Sequence, residues 1–202
     1  MALRQATLAA LTVAAIAAPP LSQAHEAGDM LLRVGVSTVD PKSDNNPVVD
    51  VDSGTTLTFN GTWFLTDNWG LEVLAALPFN HDIELKDGTK VGETDHLPPT
   101  FSVQYHFLPD GTWQPYVGAG VNATVFFDES TTGPLAGADL SLDTSFGLAG
   151  QVGLDIVLNP RWVLNVEARW IDISTDAEVD GVSIGDVDIE PWVYGINVGY
   201  SF

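Results

Sequence analysis

Apolar and polar side chains alternate with a period of two along eight stretches of the chain, the spacing of extended strands. The last stretch shows it best. Trp192, Tyr194, Ile196, Val198, Tyr200 and Phe202 share one face, while Val193, Gly195, Asn197, Gly199 and Ser201 share the other. The first begins after Asp29, with Met30, Leu32, Val34 and Val36 opposite Leu31, Arg33, Gly35 and Ser37. The second covers about Gly54 to Leu65 and the third Trp69 to Leu77. A fourth sets Phe101, Val103, Tyr105 and Phe107 against Ser102, Gln104 and His106. The fifth runs from Trp113 to Val125, the sixth from Phe146 to Leu158 and the seventh from Trp162 to Trp170.

A soluble sheet with one buried face alternates in the same way, so the connections and the aromatics decide the reading. Tight turns at Thr66-Asp67-Asn68, Pro109-Asp110-Gly111 and Asn159-Pro160-Arg161 alternate strictly with four long connections near 40–53, 80–96, 128–144 and 172–190. Short periplasmic turns and longer outer loops are the signature of a transmembrane barrel. Trp63, Trp69, Trp113, Trp162 and Phe202 fall at the turn end of the outward faces, and Phe79, Phe127, Trp170 and Trp192 near the loop end. Two aromatic girdles around an apolar band are expected at the two membrane interfaces. The pattern predicts an all-β fold: an eight-stranded antiparallel transmembrane β-barrel with short periplasmic turns and four long acidic extracellular loops. A helical turn is expected around Leu135 to Leu140.

Composition narrows the picture. Residues 1–24 carry a basic Arg4, an apolar run from Leu8 to Ala18 and small residues at Ser22-Gln23-Ala24, the layout of an export signal. Residues 25–202 are then the barrel. There is no cysteine, so neither a disulfide nor a thiolate metal site is available. The formal charge is −20, and 20 of the 27 acidic residues lie in segments 40–53, 80–96, 128–143 and 172–190, opposed there only by Lys42, Lys86 and Lys90. That sign excludes nucleic acid as a partner.

Five ionisable residues, Arg33, Glu72, Asp155, Glu167 and Arg169, fall on inward faces, where they make either a salt-bridged plug or a functional layer. Leu74, Ala76, Phe126 and Ile171 are inward nearer the loops and suggest an apolar lumenal pocket or simple filling. Pro78, Pro98 and Pro99 sit at the loop ends of the third and fourth strands, where proline cannot extend a ladder. They mark strand termination or a lateral opening through the wall. No catalytic constellation is expected, since Ser102 and His106 on one strand stand roughly 13 Å apart. Asp50 with Asp52, and Asp186 with Asp188, lack the remainder of a calcium loop. No metal site and no cofactor are implied.

Several short segments together resemble the outer-membrane protein W (OmpW) family, which includes alkane-uptake barrels. They are His25-Glu-Ala-Gly28, His96-Leu-Pro-Pro-Thr100, Tyr116-Val-Gly-Ala-Gly120, Asn122, Phe126-Phe-Asp128, Gly150-Gln-Val-Gly153 with Asp155, Trp170-Ile-Asp-Ile173 and Pro191-Trp-Val193. The resemblance implies a non-enzymatic eight-stranded barrel that passes small hydrophobic solutes and releases them sideways into the membrane. It also implies contact with outer-membrane lipids and lipopolysaccharide, and delivery by the barrel-assembly machinery, which the terminal Phe202 suits. The alternative is a non-transporting surface protein whose acidic loops bind a partner or divalent-bridged lipopolysaccharide.

Overall fold

The computed structural model describes residues 25–42 and 45–202; the expected export signal at 1–24 lies outside them. The strands are β1 (Met30–Asp40), β2 (Val49–Val51), β3 (Gly54–Phe64), β4 (Trp69–Ala76), β5 (Phe79–Leu85), β6 (Lys90–Leu97) and β7 (Thr100–His106), followed by β8 (Trp113–Thr131), β9 (Leu140–Leu142), β10 (Ser145–Asn159), β11 (Trp162–Ile171), β12 (Ser174–Val179), β13 (Val182–Asp188) and β14 (Trp192–Ser201). Eight of them, β1, β3, β4, β7, β8, β10, β11 and β14, are the staves of an antiparallel barrel. Leu31 to Asp40 pair with Ser201 to Trp192, which joins the first stave to the last. Ser145 to Ile156 pair with Thr124 to Trp113, so no edge of the ring is left open. Closure is what a bilayer requires, because hydrocarbon offers nothing to an unpaired N–H or C=O.

The alternation read from the sequence sets the inside and the outside. Met30, Leu32, Val34 and Val36 are exposed, whereas Leu31, Arg33 and Ser37 are buried in the lumen. Trp63, Trp69, Trp113, Trp162 and Phe202 are exposed at the turn end. Trp192 is exposed at the loop end, where Phe127 and Trp170 are half-buried. Phe79, expected in that rim, instead points inward and is 2% exposed. Leu77-Pro78 separates β4 from β5, and the alternation restarts with Phe79 facing in.

The long connections are largely sheet. β5 and β6 form a hairpin that lies along the upper part of β8, and β2 adds to its edge. β12 and β13 form a second hairpin, with β9 alongside. Its turn residues Asp180 and Gly181 both have positive φ (51° and 73°), as a two-residue type I′ turn requires. The helical turn expected at 135–140 is a correction. A single 3-10 turn spans Gly133–Leu135, started by Pro134, and Leu140–Leu142 is strand. β8 is 19 residues long and β10 is 15, beyond the roughly 9–11 that cross a bilayer, so both rise clear of the membrane and carry the hairpins.

Polarity inverts along this one barrel. Within the membrane band, apolar side chains face out and polar ones in. Above it, Val49, Phe79, Ile83, Val91, Phe126, Ile173, Ala177, Val187 and Ile189 pack inward as a core, and Asn80, Glu178 and Ser183 face out.

Lumen packing also explains a glycine. A Cβ on Gly153 would overlap the ring of Tyr116, which fills the barrel centre at 1% exposure. Gly153→Leu should therefore displace Tyr116 at a cost near the top of the overpacking range, roughly 3 kcal/mol. The loss should appear as a lowered melting temperature for the folded, fast-migrating form on a semi-native gel.

Candidate functional site

Three layers of side chains fill the barrel from the periplasmic end upward. The floor is aromatic. His25 stacks on Phe64 with ring centroids 3.9 Å apart, and His106 lies edge-on to both, 5.4 Å from His25 and 5.0 Å from Phe64. Leu31 and Val163 close the layer.

Above the floor lies a connected set of charges. The Arg33 guanidinium donates from Nε (3.0 Å) and Nη2 (2.5 Å) to the two oxygens of Asp155, and from Nη1 to Thr62 (2.9 Å). Arg169 Nη2 donates to Glu72 (2.7 Å) and Gln151 (2.8 Å), and stands 3.5 Å from Glu167. Glu72 also accepts from Gln104 and Gln151, at 2.6 and 3.0 Å. Glu167 accepts from Asn60 (3.1 Å) and from the Tyr116 hydroxyl (3.2 Å). Asn165 bonds both Asp155 and Tyr116. Thus Arg33, Glu72, Asp155, Glu167 and Arg169 meet in one network, although they come from four staves and lie up to 136 residues apart (169 less 33). Two guanidiniums against three carboxylates leave one excess negative charge. The layer is densely bonded and its charged side chains are buried in the lumen, although Arg169 Nη1, Asn60 Oδ1 and Asn197 Oδ1 have no protein partner among the described residues.

Above the membrane band the inverted polarity creates an apolar slit. Its walls are Val49, Val51, Ile83, Val91, Phe126, Leu135, Leu140, Leu142, Ala177, Val187 and Ile189, with the imidazoles of His81 and His96 among them. About 670 Å³ there is unfilled by atoms, part of it continuous with solvent, and about 40 Å³ is wide enough for the centre of a water molecule. The space is long and thin. Of the four residues suggested for an apolar pocket, Phe126 lines it. Ile171 is buried in the packing around the slit with Ala76 against that packing, and Leu74 is buried at 4% exposure away from its walls. The slit escaped the sequence reading because its walls come mostly from segments 80–96, 128–143 and 172–190. Their outward Asp and Glu read as solvated loop, although Asp87-Gly88 and Asp180-Gly181 were hairpin signals.

The prolines stand where β8 exchanges partners. Its lower part pairs with β7 up to Asn122 and its upper part with β6 from Val125. Pro98 and Pro99 occupy the joint, and both carbonyls accept from Asn122 Nδ2, at 3.1 and 3.2 Å. On the other side the β4–β7 ladder ends at Leu74 and Thr100. Ala75 and Ala76 continue to pair with β3 but have no partner on β7. Pro78 is exposed just beyond. Outside the wall, a groove of about 860 Å³, open to the surroundings, is framed by Phe101, Val121, Ala123, Phe146 and Leu148, and Asn122 reaches it.

Among the described residues, His25, His106 and Asp155 bring possible metal-ligand atoms within 4.8 Å of one another, a grouping invisible in sequence. Asp155 is already committed to Arg33 and Asn165. In the loops, Lys86 pairs with Asp50, Lys42 with Asp188 and Glu190, and Lys90 with Asp82 and Glu93. These exposed pairs add little stability. Asp176 faces Asp186 across the second hairpin, which pushes the Asp176 carboxyl above its usual range.

A closed ring of eight antiparallel strands, apolar toward lipid and plugged by paired charges within, defines the class: a small outer-membrane β-barrel. The OmpW family model matches residues 26–202, and the chain belongs to that family. Outer membrane protein W of Vibrio cholerae serotype O1 is 42% identical, over 99% of this chain and all of the relative. Outer membrane protein AlkL of Ectopseudomonas oleovorans is 30% identical over 88% of this chain and 76% of the relative. The crystal structure of OprG from Pseudomonas aeruginosa superposes with a TM-score of 0.79 at 35% identity, over 88% of this chain and 97% of that one. The protein is therefore a resident of the bacterial outer membrane, and these relatives are outer-membrane proteins rather than enzymes by name.

Arg33→Ala should strand Asp155 without its partner, costing about 3–5 kcal/mol, and should raise single-channel conductance in planar bilayers. The double change Arg33→Met with Asp155→Leu should recover most of the stability while keeping conductance low. A pH effect is expected in the vestibule. Burial holds the His81 imidazole below its ordinary value and pushes His96 down to about 3 from 6.5. Protons therefore favour the opened form; the contribution is present above pH 6.5 and, for His96, is lost as pH falls toward 3. Amide protection factors in β5 and β6, taken relative to the intrinsic exchange rate at each pH, should fall below pH 6.5 by up to about tenfold per pH unit. His96→Leu should flatten that dependence; repulsion between Asp176 and Asp186 acts in the opposite sense.

Proposed function

We propose that the barrel carries small hydrophobic molecules passively across the outer membrane, entering through the vestibule slit and leaving sideways into the bilayer. The observation that carries this reading is the pairing of an apolar slit with a buried, hydrogen-bonded charged layer beneath it. A solute attracted by the slit meets a guanidinium–carboxylate network below, where desolvation opposes an apolar molecule as it opposes an ion. The remaining exit is the wall near Pro98 and Pro99, where the β4–β7 ladder has stopped; the outer groove lies on the other side of β7, over β8 and β10. Leu74, Ala76, Phe126 and Ile171 border the route between slit and wall, and Arg33, Glu72, Asp155, Glu167 and Arg169 form its floor. Residues 1–24 direct export.

A second reading is favoured by one observation, the facing carboxylates of Asp176 and Asp186, which a divalent cation bridging to lipopolysaccharide would relieve. The double change Asp176→Asn and Asp186→Asn separates the two, since both side chains are exposed outside the slit: cation-dependent lipopolysaccharide binding should vanish while hydrocarbon entry should persist.

The direct test is entry of a labelled hydrocarbon into cells with and without the protein, with a sugar of similar size as control. Faster entry of the hydrocarbon alone is expected. Equal acceleration of both would mean a water-filled pore. The double change Pro98→Ala and Pro99→Ala restores two backbone donors at the joint and should slow hydrocarbon entry severalfold with little change in stability.

A further inference from the structure

Two histidines in the slit have no role in a purely hydrocarbon site. His81 and His96 stack in parallel, with centroids 4.8 Å apart and planes 13° apart, against Phe79 and Phe126. They are 2% exposed each. A surface built only to hold hydrocarbon would present carbon here, as most of its walls do; the hydroxyls of Thr94 and Thr175, which also line it, are bonded to backbone carbonyls.

Their hydrogen bonding is unequal and informative. His81 Nδ1 lies 2.5 Å from the carbonyl oxygen of Asp52. A carbonyl only accepts, so Nδ1 carries the proton, and Nε2 of the neutral ring is a bare acceptor. Neither His81 Nε2 nor either nitrogen of His96 has a protein partner among the described residues. His96 is also neutral, so it offers one N–H and one lone pair. Buried polar atoms are almost always bonded to something, and these three belong to residues that line the slit.

We propose that the slit selects apolar compounds bearing a single hydroxyl, alcohols or phenols, which donate to His81 Nε2 and accept from the N–H of His96. This deepens the uptake reading above and rests on it. A hydroxyl is the smallest group that both donates and accepts. One oxygen bonded to both rings at about 2.8 Å spans nitrogens up to about 5.6 Å apart, and the two rings are direct neighbours, stacked with centroids 4.8 Å apart. A ketone or ether accepts only and leaves His81 Nε2 bare; a hydrocarbon leaves all three nitrogens bare. Gly54 packs close beside His81 Nε2, where a Cβ would stand 3.1 Å from that nitrogen, so little room is left around it. The thin slit beyond accommodates a chain or a flat ring.

The test compares 1-naphthol, naphthalene and 1-methoxynaphthalene, three flat fluorescent molecules that differ in the head group alone. Binding is measured to the full chain in lipid nanodiscs, with empty nanodiscs correcting for partition into lipid. The wild type should prefer 1-naphthol over the other two by about tenfold, the worth of one or two net hydrogen bonds. His81→Phe and His96→Phe should each reduce the preference to near unity, and the folded, fast-migrating form of each variant on a semi-native gel shows that it has assembled. Equal binding of all three by the wild type would overturn the proposal, the nitrogens then being served by water, and would leave hydrocarbon uptake standing. Persistence of the preference in both variants would overturn it as well. Failure of all three compounds to bind above the empty nanodiscs would overturn the uptake reading itself.

Discussion

Everything in this molecule follows from the requirement that a backbone crossing hydrocarbon find all its hydrogen-bond partners within the protein. Eight staves closed by the β1–β14 and β8–β10 ladders meet it. Closure fixes a narrow lumen of the size that side chains fill. Alternation then sends every second residue into that lumen, and polar residues there must satisfy one another. The Arg33–Asp155 and Arg169–Glu72 pairs, with Gln104, Gln151, Asn165 and Tyr116 around them, are the solution this chain adopts.

The same argument explains why the upper barrel has the opposite polarity. Once β8 and β10 clear the bilayer, their outer faces meet water. The hydrophobic effect then favours an apolar interior, as in any soluble barrel. The change occurs where Pro98-Pro99 hands β8 from β7 to β6 and where β4 loses its partner. One chain thus sets a hydrogen-bonded polar layer below an apolar slit, with the end of the β4–β7 ladder near the boundary between them. The strong acidity of the outer surface follows from this, since the vestibule needs a well-solvated exterior around its apolar core.

The barrel was legible because its cause is local. The alternation of Trp192 to Phe202, the tight turns and the tryptophans at the turn ends each report on a few neighbouring residues, and each agrees with the structure. Phe79 went astray because a two-residue break at Leu77-Pro78 restarted the alternation, and one residue of phase is enough to reverse a face. The hairpins β5–β6 and β12–β13 were hidden by their outward carboxylates, which carry the signature of loop while the inward His81, Ile83, Ala177 and Val187 carry that of strand.

What the sequence determined alone was which side of each stave faces lipid, how many staves there are, and which charged residues point inward. Those are properties of period-two alternation, and no distant contact is needed to read them. Which charges pair, and that His81 should stack on His96 over a slit walled by segments far apart in the chain, was decided by tertiary structure. Ring closure and strand stagger set those neighbours, and both depend on the register of all the strands together.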